Sequence, residues 1–141
     1  MKYVLDASVA LKWVLKEPDS FKALAIRDSA RNGNDDLIAP DFFPAECGHG
    51  LFRAERRKLI GPGEAKECLL SVLADSPALH PSFELLARAV AISMDVPVGF
   101  YDALYMALAE QEGCQLLTAD RKLVGNVQRH YPYVIDLSFF T

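Results

Sequence analysis

An α/β fold with a largely parallel sheet is predicted by two features of the chain. Short apolar runs alternate with longer segments whose apolar residues recur at helical spacing. Runs such as Tyr3-Val4-Leu5, Leu37-Ile38-Ala39 and Leu116-Leu117 are apolar at successive positions, as expected of strands covered by helices on both faces. A third feature locates a site. Asp6 directly follows the first run and Asp120 lies just past the last of these three, and in sheets of this kind sites gather at the carboxyl ends of strands.

Taken in order, residues 3–5 form a strand that Asp6 ends. Residues 7–15 read as a helix, with Val9, Ala10, Trp13 and Val14 to one side and Pro18 as the breaker. Asp19 or Ser20 caps a second helix reaching residue 30, with Phe21, Leu24, Ala25 and Asp28 on successive turns, and Asn32-Gly33-Asn34 stops it. Residues 37–39 are a second strand ending at Pro40. Asp41 is placed to cap a helix over 42–59, closed by Gly61, and Pro62 stands near the start of another over 63–74. Residues 78–80 are a third strand, and 81–94 a helix carrying Phe83, Leu86, Ala87, Val90 and Ala91. After the turn Val96-Pro97-Val98-Gly99 comes a strongly apolar helix over 100–112 that Gly113 ends. Strand 115–118, a short helix over 121–124 and strand 134–135 complete the pattern. Neither a repeat nor a linker interrupts it, so residues 1–141 read as one domain.

The composition, 51% apolar and 24% charged, suits a buried core and argues against disorder. A net charge of −4 provides no global attraction for nucleic acid, so a polyanionic substrate would need a local basic patch or a bound cation. Cys47, Cys68 and Cys114 are widely spaced, without a zinc-like pattern. They read as reduced thiols of a cytoplasmic protein, Cys47 and Cys114 as core filler. No signal peptide opens the chain, and no apolar run approaches the ~20 residues of a membrane span.

Four carboxylates sit in apolar company. Asp6 follows a buried strand; Glu46 lies in Phe42-Phe43-Pro44-Ala45-Glu46-Cys47; Asp102 is the only charged residue between Val96 and Ala109; Asp120 follows Leu116-Leu117-Thr118-Ala119. Each has an ordinary reading as a helix cap, a first-turn acid favoured by the helix dipole, or, for Asp120, a partner of Arg121 or Lys122. Their conjunction points elsewhere. Like charges brought together raise one another's pKa unless a cation neutralises them, and an all-oxygen set suits Mg²⁺ or Mn²⁺ rather than zinc. Whether the four converge is a matter of tertiary structure that spacing does not decide.

The chain resembles the PIN domain family, and within it the VapC-type toxins of toxin–antitoxin pairs. The resemblance is carried by Tyr3-Val4-Leu5-Asp6-Ala7-Ser8 running on to Trp13, by Pro44-Ala45-Glu46, by Tyr101-Asp102-Ala103-Leu104-Tyr105-Met106 running on to Ala109, and by Leu117-Thr118-Ala119-Asp120-Arg121-Lys122-Leu123. It implies a three-layer α/β/α sandwich with a central, mostly parallel five-stranded sheet. It also implies an acidic site at Asp6, Glu46, Asp102 and Asp120, with Ser8 and Thr118 as supporting hydroxyls. His49 stands three residues after Glu46, where the family often has asparagine.

The activity implied is Mg²⁺- or Mn²⁺-dependent hydrolysis of RNA phosphodiester bonds, leaving 5′-phosphate and 3′-hydroxyl ends. Asp6 and Asp102 lead as metal ligands, Asp120 completes the set directly or through water, and Glu46 either ligates or orients the attacking water. One or two ions are equally compatible. Arg53, Arg56, Arg57 and Lys58 form one basic run, and Arg121, Lys122 and Arg129 another; either could track RNA backbone, with Arg53, Arg121 and Lys122 the candidates. Tyr101, Tyr105 and Trp13 could stack bases, but core packing is the simpler expectation. The resemblance further implies a homodimer and a cognate antitoxin, for which apolar residues before Gly33 or at Leu51-Phe52 would serve. Two other readings compete: a catalytically silent RNA- or protein-binding module on the same scaffold, and a phosphatase or phosphotransfer domain with Asp6 as nucleophile. The latter lacks a second aspartate two residues on, where Ser8 stands.

Overall fold

The structure is a computed structural model and describes residues 1–140. Five strands form one sheet in the order β3-β2-β1-β4-β5. They are β1 (Lys2–Leu5), β2 (Asp36–Pro40), β3 (Ala78–His80), β4 (Gln115–Thr118) and β5 (Val134–Asp136). Every pairing is parallel, so the expected "mostly parallel" sheet is parallel throughout. Parallel strands need crossovers, and helices supply them: α1 (Ala7–Leu11) and α2 (Ser20–Arg31) between β1 and β2; α3 (Phe43–Arg56) and α4 (Glu64–Ala74) between β2 and β3; α5 (Leu86–Asp95) and α6 (Phe100–Glu112) between β3 and β4; α7 (Arg121–Val127) between β4 and β5.

Strand order reverses direction between β1 and β4, which are neighbours in register Leu5 to Leu117. Asp6 and Asp120 follow these two strands, so the reversal brings their segments side by side. A crevice opens at such a reversal because the helices leaving the two strands diverge. The adjoining backbones are tied directly, Asp6 N–H donating to the Leu117 carbonyl at 3.0 Å.

Burial explains why the strands carry almost no polar residues. Val4, Leu5, Leu116, Leu117 and Val134 are completely enclosed. Helix α6 is apolar because it packs across β1, β2 and β4 with α5 against its other side, and Ala103 through Ala109 are all buried. On α3, Gly50 faces the Leu11 side chain of α1 so closely that a Cβ would meet it at 2.5 Å. Glycine there lets the two helices approach.

Several boundaries differ from the sequence expectation. The first helix ends at Leu11 rather than residue 15. Trp13 is nonetheless buried, its indole N–H donating to the Ala23 carbonyl at 2.9 Å and pinning the following loop to α2. Helix α2 starts after Asp19, whose φ of 66° is left-handed and whose side chain makes no capping bond. Asp41 does not cap α3 either; its carboxylate accepts from Ser82 N–H at 3.3 Å. Helix α3 stops at Arg56, not residue 59, and α7 extends to Val127, not 124. A 3₁₀ turn (Phe83–Leu85) replaces the first turn of the helix expected over 81–94. Cys47 is fully enclosed as expected, but Cys114 is only half-buried.

Candidate active site

Asp6 leaves the end of β1 pointing into the interior, with only 7% of its surface exposed. A carboxylate so buried requires hydrogen-bond donors, and two hydroxyls supply them. Ser8 Oγ donates to Asp6 Oδ2 at 2.5 Å and Thr118 Oγ1 donates to the same oxygen at 2.8 Å. Backbone beyond β4 orients both: Ala119 N–H donates to Ser8 Oγ at 3.0 Å and Asp120 N–H to Thr118 Oγ1 at 3.1 Å. Each hydroxyl oxygen thus accepts one backbone N–H while its proton is turned toward Asp6. Ser8 and Thr118, expected as supporting hydroxyls, both contact Asp6.

Glu46 occupies the first turns of α3, half-buried, and its Oε1 accepts from the Tyr105 hydroxyl at 2.7 Å. Phe42 and Glu46 are one turn apart at the start of α3, as are Tyr101 and Tyr105 on α6. Phe42 packs edge-to-face on both tyrosines with ring centroids 5.2 Å apart. The contact fixes the position of Glu46 relative to α6, the helix that carries Asp102. Asp120 is exposed and plays the ordinary part considered for it, its Oδ1 accepting from Leu123 N–H at 3.0 Å at the start of α7.

Asp6, Glu46 and Asp102 lie close enough to other acids for their ionisation to be disturbed. Burial, then the charges of Asp6, Asp120 and Glu46, push the Asp102 carboxyl up to about 7. Burial and, to a lesser degree, the charge of Asp120 raise Asp6, against the lowering effect of its two hydroxyl partners. Glu46 is raised by burial and by Asp6, with the Tyr105 bond opposing. No lysine or arginine contributes to any of the three shifts. Burial and the charges of Glu46 and Asp6 also raise the Cys47 thiol to about 12, leaving it inert.

A fifth acid, Asp136 at the end of β5, escaped sequence reasoning. It is buried, caps the following 3₁₀ turn through Ser138 N–H at 3.0 Å, and has Arg121 Nε at 3.7 Å. Arg121, proposed as an RNA contact, thus leans toward Asp136 and Asp19. Lys122 lines an open cleft with Asp102, Asp120, Gly99 and Asn126. His49 is exposed on α3 beside Phe52 and makes no hydrogen bond to the four acids among the described residues. Tyr101, expected in the core, is 60% exposed, whereas Tyr105 and Trp13 are buried. The signal for the Tyr105–Glu46 pair was the i, i+4 spacing of aromatic residues on α6 and of Phe42 with Glu46, which has no meaning until the two helices are known to face each other.

The donor chemistry fits a hard divalent cation: oxygen only, anionic, and short of counter-charge. Among the described residues no three His, Cys, Asp or Glu side chains already stand as a metal cage. Mg²⁺ does not demand one, since it usually keeps several waters and takes only one or two carboxylates.

The PIN domain family model matches residues 3–126. The chain belongs to the PIN domain family, in its VapC branch. It is similar to ribonuclease VapC3 of Pyrobaculum aerophilum, 34% identical over 125 residues that cover 87% of this chain and 92% of the relative. Ribonuclease VapC9 of Mycobacterium tuberculosis is 28% identical over 132 residues, covering 94% and 96% of the two chains. Among solved structures, PAE2754 of Pyrobaculum aerophilum superposes with a TM-score of 0.66 at 25% identity, over 98% of this chain and 93% of that one. VapBC2 of Rickettsia felis, solved bound to a DNA fragment from its promoter, has a TM-score of 0.65 at 15% identity, over 96% of each chain, a likeness of fold.

Proposed function

We propose that this chain is a metal-dependent ribonuclease that hydrolyses RNA phosphodiester bonds and acts as the toxin of a type II toxin–antitoxin pair. The observation that carries this reading is that Asp6, Glu46 and Asp102, from three separate segments around β1 and β4, are each raised by burial and by neighbouring acids, Asp120 adding its charge to Asp6 and Asp102. Similarity to the VapC ribonucleases supports it. VapC ribonucleases of the PIN family generally depend on a divalent metal.

In this reading Asp6, Asp102 and Asp120 hold Mg²⁺ or Mn²⁺, and Glu46 holds either the metal or the attacking water. When bound, the cation lowers the pKa of a water and stabilises charge on the phosphate and the leaving oxygen. The chain's own residues set the geometry. Ser8 and Thr118 favour the anionic form of Asp6 against the effect of its burial and fix its rotamer by occupying Oδ2. Tyr105 takes one oxygen of Glu46 and leaves the other free to act. A phospho-acceptor role for Asp6 is disfavoured, because burial and two hydroxyls restrict its approach to an electrophile.

Residues 1–141 act as one domain in the cytoplasm, as a homodimer silenced by an antitoxin. No helix of the described residues is long and apolar enough to cross a membrane. Phe21, Phe52, Leu59 and Leu70 expose half or more of their surfaces on and between α2, α3 and α4, and offer the apolar anchors an antitoxin helix would use. Leu51, grouped with Phe52 on sequence grounds, is fully buried and takes no part.

The test is cleavage of a labelled single-stranded RNA by the purified chain. Cleavage should require Mg²⁺ or Mn²⁺, stop with EDTA, and disappear in Asp6→Asn while the fold persists. Cleavage that continues in Asp6→Asn, or in EDTA, would overturn the reading.

A further inference from the structure

A cleft of about 350 Å³ lies between the loop after α1 and the outer part of α3, and its inner wall is Ser8 and Ala119. These two residues adjoin the acidic site directly. Ser8 Oγ donates to Asp6, and Ala119 N–H donates to Ser8 Oγ. The cleft therefore begins where the acidic site ends.

Its charge is opposite to that of the site. Lys12, Arg53 and Arg57 line it against a single carboxylate, Glu17, on a chain whose net charge is −4. Arg53, in the last turn of α3, and Arg57, which caps it, are four residues apart and line the same cleft. Arg27, Arg31, Arg88 and Arg121 each have a carboxylate partner. Among the described residues Arg53 and Arg57 have none. Lys12 is held at the mouth by the Pro18 carbonyl at 2.9 Å and by Glu17 at 3.5 Å.

We propose that this cleft is a phosphate-binding subsite that holds RNA backbone beside the scissile bond, with Arg53 and Arg57 as its contacts and Lys12 closing its end. It rests on the ribonuclease reading for its substrate. The arrangement separates two needs. Acids that require a cation sit at the reacting phosphate, and fixed cations take the neighbouring phosphate, which no metal serves. It also selects within the basic run of the sequence: Arg56 lies over the Phe52 ring at 5.3 Å and, with Lys58, lines a different cleft. Arg53 and Arg57 also end α3, where cations favour the helix dipole. That role alone would affect stability and not the salt dependence of RNA binding.

The experiment measures binding of a fluorescein-labelled single-stranded RNA by anisotropy in EDTA across a salt series, so no cleavage is needed. Arg53→Ala/Arg57→Ala should weaken binding about tenfold or more at low salt. The slope of log K against log salt should become shallower by about 0.7 per cation removed, about 1.4 for the pair. Arg56→Ala/Lys66→Ala, the latter exposed on α4 and outside the cleft, removes equal charge elsewhere and should change both much less. If the first pair melts early, Arg53→Gln alone should show about half the slope change. An unchanged slope, or equal effects of the two pairs, overturns the subsite. So does a poly-glutamate peptide that loses binding to the variant when RNA does not, which would assign the cleft to an acidic protein segment. The metal-dependent cleavage assay judges the ribonuclease reading separately.

Discussion

The Tyr105 hydroxyl donates to Glu46 Oε1 at 2.7 Å, joining a side chain enclosed in α6 to an acid at the start of α3. Burial and the charges of Asp6 and Glu46 keep that hydroxyl protonated far above the pH of any assay, so it acts as a fixed donor. Tyr105→Phe should leave the fold intact at a cost of about 1 kcal/mol, typical of a lost hydrogen bond. RNA cleavage should fall but remain measurable, because Glu46 keeps its carboxyl group and loses only its anchor. Cleavage rates and melting temperature check both parts; an unchanged rate would remove Tyr105 from the site.

Asp102 connects activity to stability through pH. Its carboxyl titrates near 7 in the folded protein and near 3.9 in an unfolded chain. Between those values the folded state keeps a proton that the unfolded state has released, so its contribution to stability falls as pH rises across that window. Asp6 and Glu46 shift in the same direction. Metal-free protein should therefore melt at a lower temperature at pH 8 than at pH 5.5, and Mg²⁺ should recover part of the difference. Asp102→Asn should raise the melting temperature at pH 8 while abolishing cleavage. Asp35 and Asp75, lowered by hydrogen bonds from Ser29 and Arg31 respectively, destabilise only in stronger acid, below the ordinary aspartate range, and leave this window clear.

Ser8 and Thr118 donate to the same oxygen of Asp6. Removing either leaves the other in place, whereas removing both strands a buried carboxylate. Ser8→Ala and Thr118→Val should thus be non-additive, the double variant losing more stability than the two singles together, by about 0.5–3 kcal/mol as for residues in one network. Denaturant unfolding of the four proteins closes the cycle, and strict additivity would deny the shared role.

Lys58 adopts a φ of 61° in the turn that ends α3. Lys58 N–H donates to Glu55 carbonyl and Leu59 N–H to Ala54 carbonyl, each at 2.9 Å. The same pair of bonds closes α2 at Gly33 and α6 at Gly113, which also have positive φ. Lysine pays a steric penalty there of about 1–2 kcal/mol that glycine avoids, offset by about 0.4–1 kcal/mol for the freedom glycine has when unfolded. Lys58→Gly should stabilise the protein by up to about 1 kcal/mol. Equilibrium unfolding checks this; a loss of stability would mean that the lysine side chain makes a compensating contact.

The amino-acid sequence by itself determined the alternation of strands and helices, because burying a parallel sheet on both faces leaves continuous apolar runs that composition displays directly. It also isolated the four acids, since a lone charge among apolar residues stands out in one dimension. Helix ends were less legible. Asp19 and Asp41 look like caps yet accept no capping bond, and Lys58 fills a position where glycine is the expected residue. Each depends on a local backbone conformation that several sequences can adopt. Tertiary structure alone decided the rest. It set β4 beside β1, so that Asp6 met Thr118 and the Asp120 segment; it faced α3 with α6, so that Glu46 met Tyr105; and it gave Arg121 to Asp136 while leaving Arg53 and Arg57 unpaired among the described residues. Electrostatic coupling depends on distance through space, and separation along the chain carries no record of it.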